Sequence, residues 1–380
     1  MTLKSFKFLT RRRIEAGVFL LLFFATFTFI GNRMGLSNML NTIMQTSYSL
    51  LIETVLYIMA ITVLSGALGK LLIEFGVVRL LEVMLKPLMR PIFNLPGVAA
   101  LGGVLTFLSD NPAIISLANE KHFNQYFKKY QLISLTNFGT AFGMGLVVII
   151  FMAGRGFGFA AIIGFVGAII GSIISTRLMQ RFTIKKYPEL ETELVEGGDE
   201  QKISFKSEGS VFLRGLNSIL DGGKMGVDLG LAIIPGVLII STFVMMLTFG
   251  PSAEGYTGQA YEGIALLPYL AQKVNFIFDW LFGFKHPELI AFPITSLGAV
   301  GAALGLIPKF QQAGLIDGNA IAVFTAMGMC WSGFLSTHTA MLDSLGYRKL
   351  TGKALLSHTI GGIMAGVAAH WIFVLVSLLF

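Results

Sequence analysis

The chain has 380 residues, 54% of them hydrophobic and 13% charged. Soluble domains carry about 25% charged residues, so this composition points to a chain built for lipid. The single cysteine, Cys330, excludes an internal disulfide and a CxxC metal site. In such a chain the formal net charge of +7 is read through the placement of Lys and Arg around membrane spans, with no nucleic-acid partner expected.

The first element begins with Lys4, Lys7, Arg11, Arg12 and Arg13 and continues as an apolar run over 16–30. Its start is like that of a signal peptide, but no small-x-small cleavage site follows, so it reads as an uncleaved membrane helix. Stretches long enough to cross, roughly 20 residues each, fall at 15–33, 48–72, 131–153, 157–180, 226–250, 318–341 and 356–379.

Two other apolar stretches do not read as ordinary spans. The first, 96–118, is broken at Ser109-Asp110-Asn111-Pro112; the second, 288–308, is broken around Pro293, Thr295, Ser296 and Gly298. Each arm is about ten residues, or about 15 Å as a helix, half the hydrocarbon core. Such a pair makes a re-entrant hairpin, whose irregular tip is tolerated only where protein or a wet cavity satisfies it.

An interfacial helix is expected before each hairpin. In the first, Arg79, Glu82, Lys86 and Arg90 form one polar stripe opposite Val78, Leu81, Met84, Leu85 and Leu88, with Pro87 able to kink or shorten it. The second, about 264–283, sets Gln272, Lys273 and Asp279 among Phe276, Ile277, Trp280 and Phe282.

The order span, interfacial helix, hairpin, span, span therefore occurs twice. The chain reads as an all-α polytopic membrane protein with an N-terminal membrane helix (1–45), a first repeat (46–181), a polar linker (182–215) and a second repeat (216–380). Glu189, Glu191, Glu193, Glu196, Asp199 and Glu200 make the linker acidic. With the N-terminus cytoplasmic, Arg33, Arg155, Lys273, Lys285 and Lys309 fall outside and the other Lys and Arg, about 23, fall inside. Seven spans then put the C-terminus outside and the two hairpins on opposite sides. This is an inverted repeat with tips meeting near mid-membrane, a recurring design of alternating-access transporters. Such a chain belongs in a cell's inner (plasma) membrane.

Asp110 is the strongest single position, because an intramembrane carboxylate is costly and by default functional; the plainer role is a cap for the half-helix starting at Pro112. Asn111 and Ser109 share that tip. Asn137 and Thr140, beside Thr136, could complete an ion or substrate site, or simply hydrogen-bond between helices. Thr295, Ser296, Ser332, Ser336, Thr337, His338 and Thr339 make the richest polar cluster. His338 could carry a proton, its ordinary pKa being about 6.5, though a lone His is more often a packed donor. Asp343 reads as pairing with Arg348, and Asp221, Lys224 and Asp228 as an interfacial salt-bridge face. Gly361-Gly362 and the glycines from Gly164 to Gly171 read as packing surfaces. No GxxxxGK[ST] pattern is present, and no Ser/His or His/Glu pairing has productive spacing, so neither ATP-driven transport nor an enzyme is expected.

Ser109-Asp110-Asn111-Pro112-Ala113, a basic connection and Leu132-Ile133-Ser134-Leu135-Thr136-Asn137-Phe138-Gly139-Thr140 together resemble the first hairpin and following helix of concentrative nucleoside transporters. The tip there is of the type Gln-Thr-Glu-Ala-Pro. Cys330-Trp331-Ser332-Gly333-Phe334-Leu335-Ser336-Thr337, with Arg348-Lys349 downstream, is similar to their Cys-Gly-Phe-Ala-Asn-Phe-Ser-Ser helix. The broader group is the Gate, or nucleoside-recognition, family, which includes the membrane part of ferrous-iron transporters. The resemblance puts Asp110 where those carriers place a substrate-contacting Glu, and Ser336 and Thr337 on their Ser pair. It also implies a homo-oligomer. The departures are Phe334, where the family has Asn, and the lack of a carboxylate among Ile294, Thr295, Ser296 and Leu297.

The chain is expected to be a secondary carrier of a small polar solute, nucleoside-like cargo included. Asp110, Asn111, Thr295, Ser296, Ser336 and Thr337 would bind substrate; Ser109, Asn137, Thr140 and His338 would couple Na⁺ or H⁺. No other cofactor is expected. The alternatives are a non-transporting Gate-domain partner or scaffold in an envelope process, and a divalent metal permease, against which the single Cys and the lack of a His or Met cluster stand.

Overall fold

The computed structural model describes residues 10–195 and 209–379. Lys4 and Lys7 of the N-terminal cluster, and Glu196, Asp199 and Glu200 of the linker, lie outside the described residues. Among those described, seven helices are long and apolar enough to cross a membrane, and the chain is a multi-pass, all-helical membrane protein.

Helix α1 (Arg11–Met34) is exposed along nearly its whole length, burying only Ile30 and Met34. Its apolar surface is therefore a lipid-facing one. Gly35, at φ +81°, ends it. Helix α2 (Leu36–Glu74) follows at once, with a π-helical segment at Leu50–Val55. It is 39 residues long, about 58 Å at 1.5 Å per residue, so it is tilted or protrudes from the roughly 30 Å core.

A helix, α3 (Val77–Leu88), forms where the interfacial one is expected, and Pro87 lies inside it, followed by a π turn at Met89–Phe93. Arg79 pairs with the buried Glu82 at 3.4 Å. The first hairpin is α4 (Ala99–Leu108) and α5 (Pro112–Asn119), ten and eight residues long. Helix α6 (Lys129–Gly154) is interrupted at 141–144, where Met144 adopts φ +54°. Helix α7 (Gly158–Lys186) runs through the start of the expected linker, and Lys129 pairs with Glu193 at 2.7 Å just beyond it.

The second half has the same order. Helix α8 (Val211–Thr248) carries a π segment at Gly236–Ser241, directly after Pro235. The single interfacial helix expected over 264–283 is two, α9 (Leu266–Gln272) and α10 (Asn275–Phe282). The second hairpin is α11 (Ala291–Gly298) and α12 (Val300–Leu304), divided at the extended Ala299. Helix α13 (Gly318–Ser344) breaks at Ser332–Gly333, with Gly333 at φ +58°. That break is as far from the start of α13 as Met144 is from the start of α6. Helix α14 (Arg348–Ser377) ends the described chain.

Two spans start more than ten residues before the sequence reading places them. Helix α8 starts at Val211 rather than near 226, and α2 at Leu36 rather than 48. Asp221, Lys224 and Asp228 therefore sit within α8, on an exposed stripe. The opposite face is small. Gly222, Gly226 and Gly230 lie against Gly66, Thr62–Val63 and Met59 of α2, so closely that a Cβ at Gly222 or Gly226 would overlap backbone. Thr62 donates from Oγ1 to the Gly226 carbonyl at 2.7 Å. Small residues allow this approach, which replaces a hydrophobic drive absent inside lipid. The matching pair in the other halves is α7 on α14, where Gly167 and Gly171 meet Gly361 and Ala365, as the glycine runs imply.

Candidate functional site

The first hairpin turns at Ser109, whose hydroxyl donates back to Leu105 O at 2.7 Å, and re-enters a helix at Pro112. Proline at that first position costs no hydrogen bond. Asn111, at the N-cap of α5, makes no capping hydrogen bond with its side chain. Instead the Asn111 carboxamide, 4% exposed, donates from Nδ2 to the carbonyl of Ser332, while its Oδ1 has no partner. Gly143 supplies the space for it: a Cβ there would fall on the carboxamide.

The break in α13 releases carbonyls that the helix would otherwise use. Three carbonyls around it take side-chain donors. Ser332 O takes Asn111, Gly333 O takes the hydroxyls of Ser336 (2.9 Å) and Thr337 (3.0 Å), and Cys330 O takes Nε2 of His358. A carbonyl only accepts, so His358 carries its hydrogen on Nε2 and accepts at Nδ1 from Ser175 Oγ at 2.9 Å. Ser175 in turn accepts from Asn137 Nδ2 at 2.9 Å. A directed chain of buried hydrogen bonds thus runs from α6 through α7 and α14 to the α13 break.

Between the first hairpin tip, the α13 break, α8 and the second hairpin tip lies a cavity of about 340 Å³. Asp110, Asn111, Ser332, Ser336 and Thr337 supply its polar groups; Met144, Ala299, Val300 and Gly301 are among the apolar ones. A second cavity, about 460 Å³, lies between the same hairpin, α2 and α8. Asp110, Pro112, Leu229 and Ala232 line both, so the carboxylate stands where the two meet. Its Oδ1 has no hydrogen-bond partner. This is a charge with its coordination left open, next to space a solute could fill.

Of the residues singled out in the sequence, Asp110, Asn111, Ser336 and Thr337 come together at the first cavity. Thr295 and Ser296 do not line it. Their hydroxyls fold back on their own helix, to Ala291 O at 2.7 Å and Phe292 O at 2.9 Å. The second hairpin instead presents Ala299, Val300 and Gly301, because its break falls at Ala299, at the Gly298 end of the expected stretch Pro293, Thr295, Ser296 and Gly298. Ser109 lines the second cavity. Asn137, Thr140 and His338 line neither. Asn137 is fully buried, giving its amide to Ser175, Ala354 O and Ser357, which is its interhelical reading. Thr140 is buried with its hydroxyl unpartnered. His338 sets Nδ1 against Phe334 O at 2.8 Å, leaves Nε2 unpartnered and lies 4.5 Å, ring to ring, from His358. Asp343 meets Arg348 at 3.8 Å.

Ser65, Lys70, Met144 and His358 are at or next to the site without having been singled out. Lys70 carried a signal, a charge at the edge of an apolar run; Met144 carried none. Among the described residues no three His, Cys, Asp or Glu side chains gather as a metal-holding group.

Residues 51–156 match the Gate family model, described as nucleoside recognition. In solved structures the chain is similar to CNTnw, a concentrative nucleoside transporter. To its inward-facing, substrate-bound state the TM-score is 0.53 at 13% identity, covering 82% of this chain and 74% of that one. To an outward-facing state of a CNTnw variant it is 0.52 at 12% identity, covering 83% and 74%. To an intermediate state of another variant it is 0.51 at 14% identity, covering 82% and 75%. At such identities the likeness is one of fold. The chain is also 50% identical over 46 residues to the sporulation integral membrane protein YlbJ of Bacillus subtilis (strain 168); that stretch is 12% of this chain and 11% of the relative.

Proposed function

We propose that the protein is a secondary carrier of a small polar solute, nucleoside-like solutes included, working by alternating access in a cell's plasma membrane. One observation carries the reading. Asp110, at the tip of a broken membrane segment, leaves a carboxylate oxygen unpartnered where two cavities meet. No ion pair found among the described residues takes that charge, and a charge in such a place is kept for what passes it.

Asp110 accepts donor groups of the solute, and Asn111, Ser336 and Thr337 border the same space. The element order repeated across the halves supports two units inserted in opposite senses, with the N-terminus cytoplasmic and the C-terminus external. The likeness to CNTnw in inward-facing, outward-facing and intermediate states supports a fold able to present the site to each side in turn. Coupling to Na⁺ or H⁺ is part of the proposal, with Ser109 at the cavity as the nearest of the residues suggested for it.

The test is uptake into proteoliposomes of a panel of nucleosides, nucleobases, sugars and small acids, with and without Na⁺ and pH gradients. Uptake of a panel member that is lost in Asp110→Asn supports the carrier. No uptake of any member, together with a cellular phenotype untouched by Asp110→Asn, overturns it and leaves the partner or scaffold reading.

A further inference from the structure

We infer that the second cavity is an anion subsite organised by Lys70, so that the solute bears a phosphate or carboxylate some way from its donor-rich end. The inference rests on the carrier reading above. Lys70 is the one cation among the described residues that lines either cavity. It is half-buried, on a membrane-crossing helix, and takes part in none of the ion pairs found among the described residues. An ammonium so placed without a counter-ion is costly and points to a ligand path.

Ser65 is the second, independent observation. It sits on α2 just over one turn before Lys70, is 1% exposed, lines the same cavity, and its hydroxyl has no partner. Asp110, whose buried Oδ1 is equally unpartnered, lines this cavity as well. An acceptor, a hydroxyl and a cation therefore share one cavity and do not satisfy one another.

Asp228 is the other carboxylate on these walls. The register of the two helices, Gly66 beside Gly222 and Thr62 beside Gly226, puts Asp228 level with a point on α2 beyond Thr62. That is roughly 15 Å of helical rise from Lys70. Asp228 is also exposed, with water to screen it. It closes the far end of the cavity and leaves the ammonium free for a guest.

The spacing defines that guest. Ser65 and Lys70 are separated by about 7 Å of rise. A solute with a polar group at Ser65 and an acid at Lys70 must hold the two several ångströms apart, and Asp110 lines the same cavity. A neutral solute of the same shape leaves the ammonium unpaired. Lys70 is thus a specificity-determining residue, choosing acids over their neutral counterparts.

The experiment uses the full chain in phosphatidylcholine nanodiscs and measures binding of matched pairs. These are uridine and uridine 5′-monophosphate, adenosine and adenosine 5′-monophosphate, glucose and glucose 6-phosphate, and nicotinamide and nicotinate. In at least one pair the acid should bind at least tenfold more tightly. Lys70→Arg should keep that preference. Lys70→Gln should abolish it while leaving the neutral member's affinity and the unfolding midpoint unchanged. Absence of an acid preference in every pair, or its survival in Lys70→Gln, overturns the inference; the latter is what a lysine merely reaching for the headgroup layer would give. Discs with added phosphatidylglycerol separate the two phosphate sources. Loss of the preference there assigns the subsite to lipid and overturns the solute reading. Uptake by the same variants reconstituted in sealed phosphatidylcholine proteoliposomes keeps the two proposals apart. Binding without uptake removes the carrier and leaves the subsite, whereas uptake of neutral members with no acid preference does the reverse.

Discussion

The carboxamide of Asn111 donates to the main-chain carbonyl of Ser332, joining the tip of the first hairpin to the break in a helix more than two hundred residues away in sequence. The tip and the break are thereby one unit, and the walls of the first cavity share it. Asn111→Ala leaves a buried carbonyl without a donor, which costs about 1–3 kcal/mol. The expected result is a lower unfolding midpoint together with faster proteolysis within 109–112, since the tip loses its anchor.

Asp110→Asn should separate stability from function. The carboxylate has no hydrogen-bond partner for Oδ1 and no ion pair among the described residues, so removing the charge relieves a desolvation cost. The unfolding midpoint should stay level or rise while solute uptake falls at least tenfold. A capping role would instead lower the midpoint.

Asn137→Ala should do the opposite. The amide serves Ser175, Ala354 O and Ser357, and its loss leaves several buried groups short of a donor at a cost of about 1–3 kcal/mol each. Stability should fall with the solute KM, the Na⁺ dependence and the pH dependence of uptake unchanged. A shift in ion dependence without loss of stability would make Asn137 an ion ligand after all.

Gly226→Val tests the α2–α8 seam. A side chain there meets the Thr62–Val63 backbone, which cannot turn aside as a flexible side chain can. Overpacking of this kind costs about 1–3 kcal/mol or more, and Gly223→Val, facing only Val63 at ordinary distance, should be nearly neutral. Thermal unfolding of the two variants in one detergent compares them directly.

Glu262, in the loop between α8 and α9, gives a pH dependence. Burial pushes its carboxyl up, but hydrogen bonds from the Thr257 hydroxyl and amide, from the Gly258 amide and from Ser252 outweigh this and hold it below its ordinary value. A lowered folded pKa stabilises fully above the unfolded value of about 4.3 and is lost as pH falls through the folded one. Wild type should therefore be more stable than Glu262→Gln at pH 7, and the two curves should converge in the acid range.

The first hairpin was legible because its break is written in polar residues. Ser109-Asp110-Asn111-Pro112 interrupts an apolar run where nothing else does, and the chain turns there. The second was drawn too broadly: of Pro293, Thr295, Ser296 and Gly298 only Gly298 adjoins the turn, and its neighbour Ala299 looks like any membrane-helix residue. Thr295 and Ser296 drew attention as hydroxyls, yet a hydroxyl bonded to the carbonyl four residues back has the same sequence as one pointing into a cavity. The early start of α8 was obscured by Asp221, Lys224 and Asp228, which mimic the edge of a span when their neighbours are glycines. The link from His358 to the α13 break is tertiary, and no spacing within either helix announces it.

The π segments of α2 and α8 also have a consequence for phase. Each lies between the helix start and the stretch that packs on its partner in α2, and beyond that stretch in α8. A π turn accommodates an additional residue in an α-helix, and each residue turns the helix by about 100°. Removing one residue from Leu50–Val55 would leave α2 helical and just as apolar, yet turn Thr62 and Gly66 about a quarter-turn away from Gly226 and Gly222. The helix would keep its composition and lose its bearing, so a one-residue deletion there is a rotation of the seam rather than a shortening of the span.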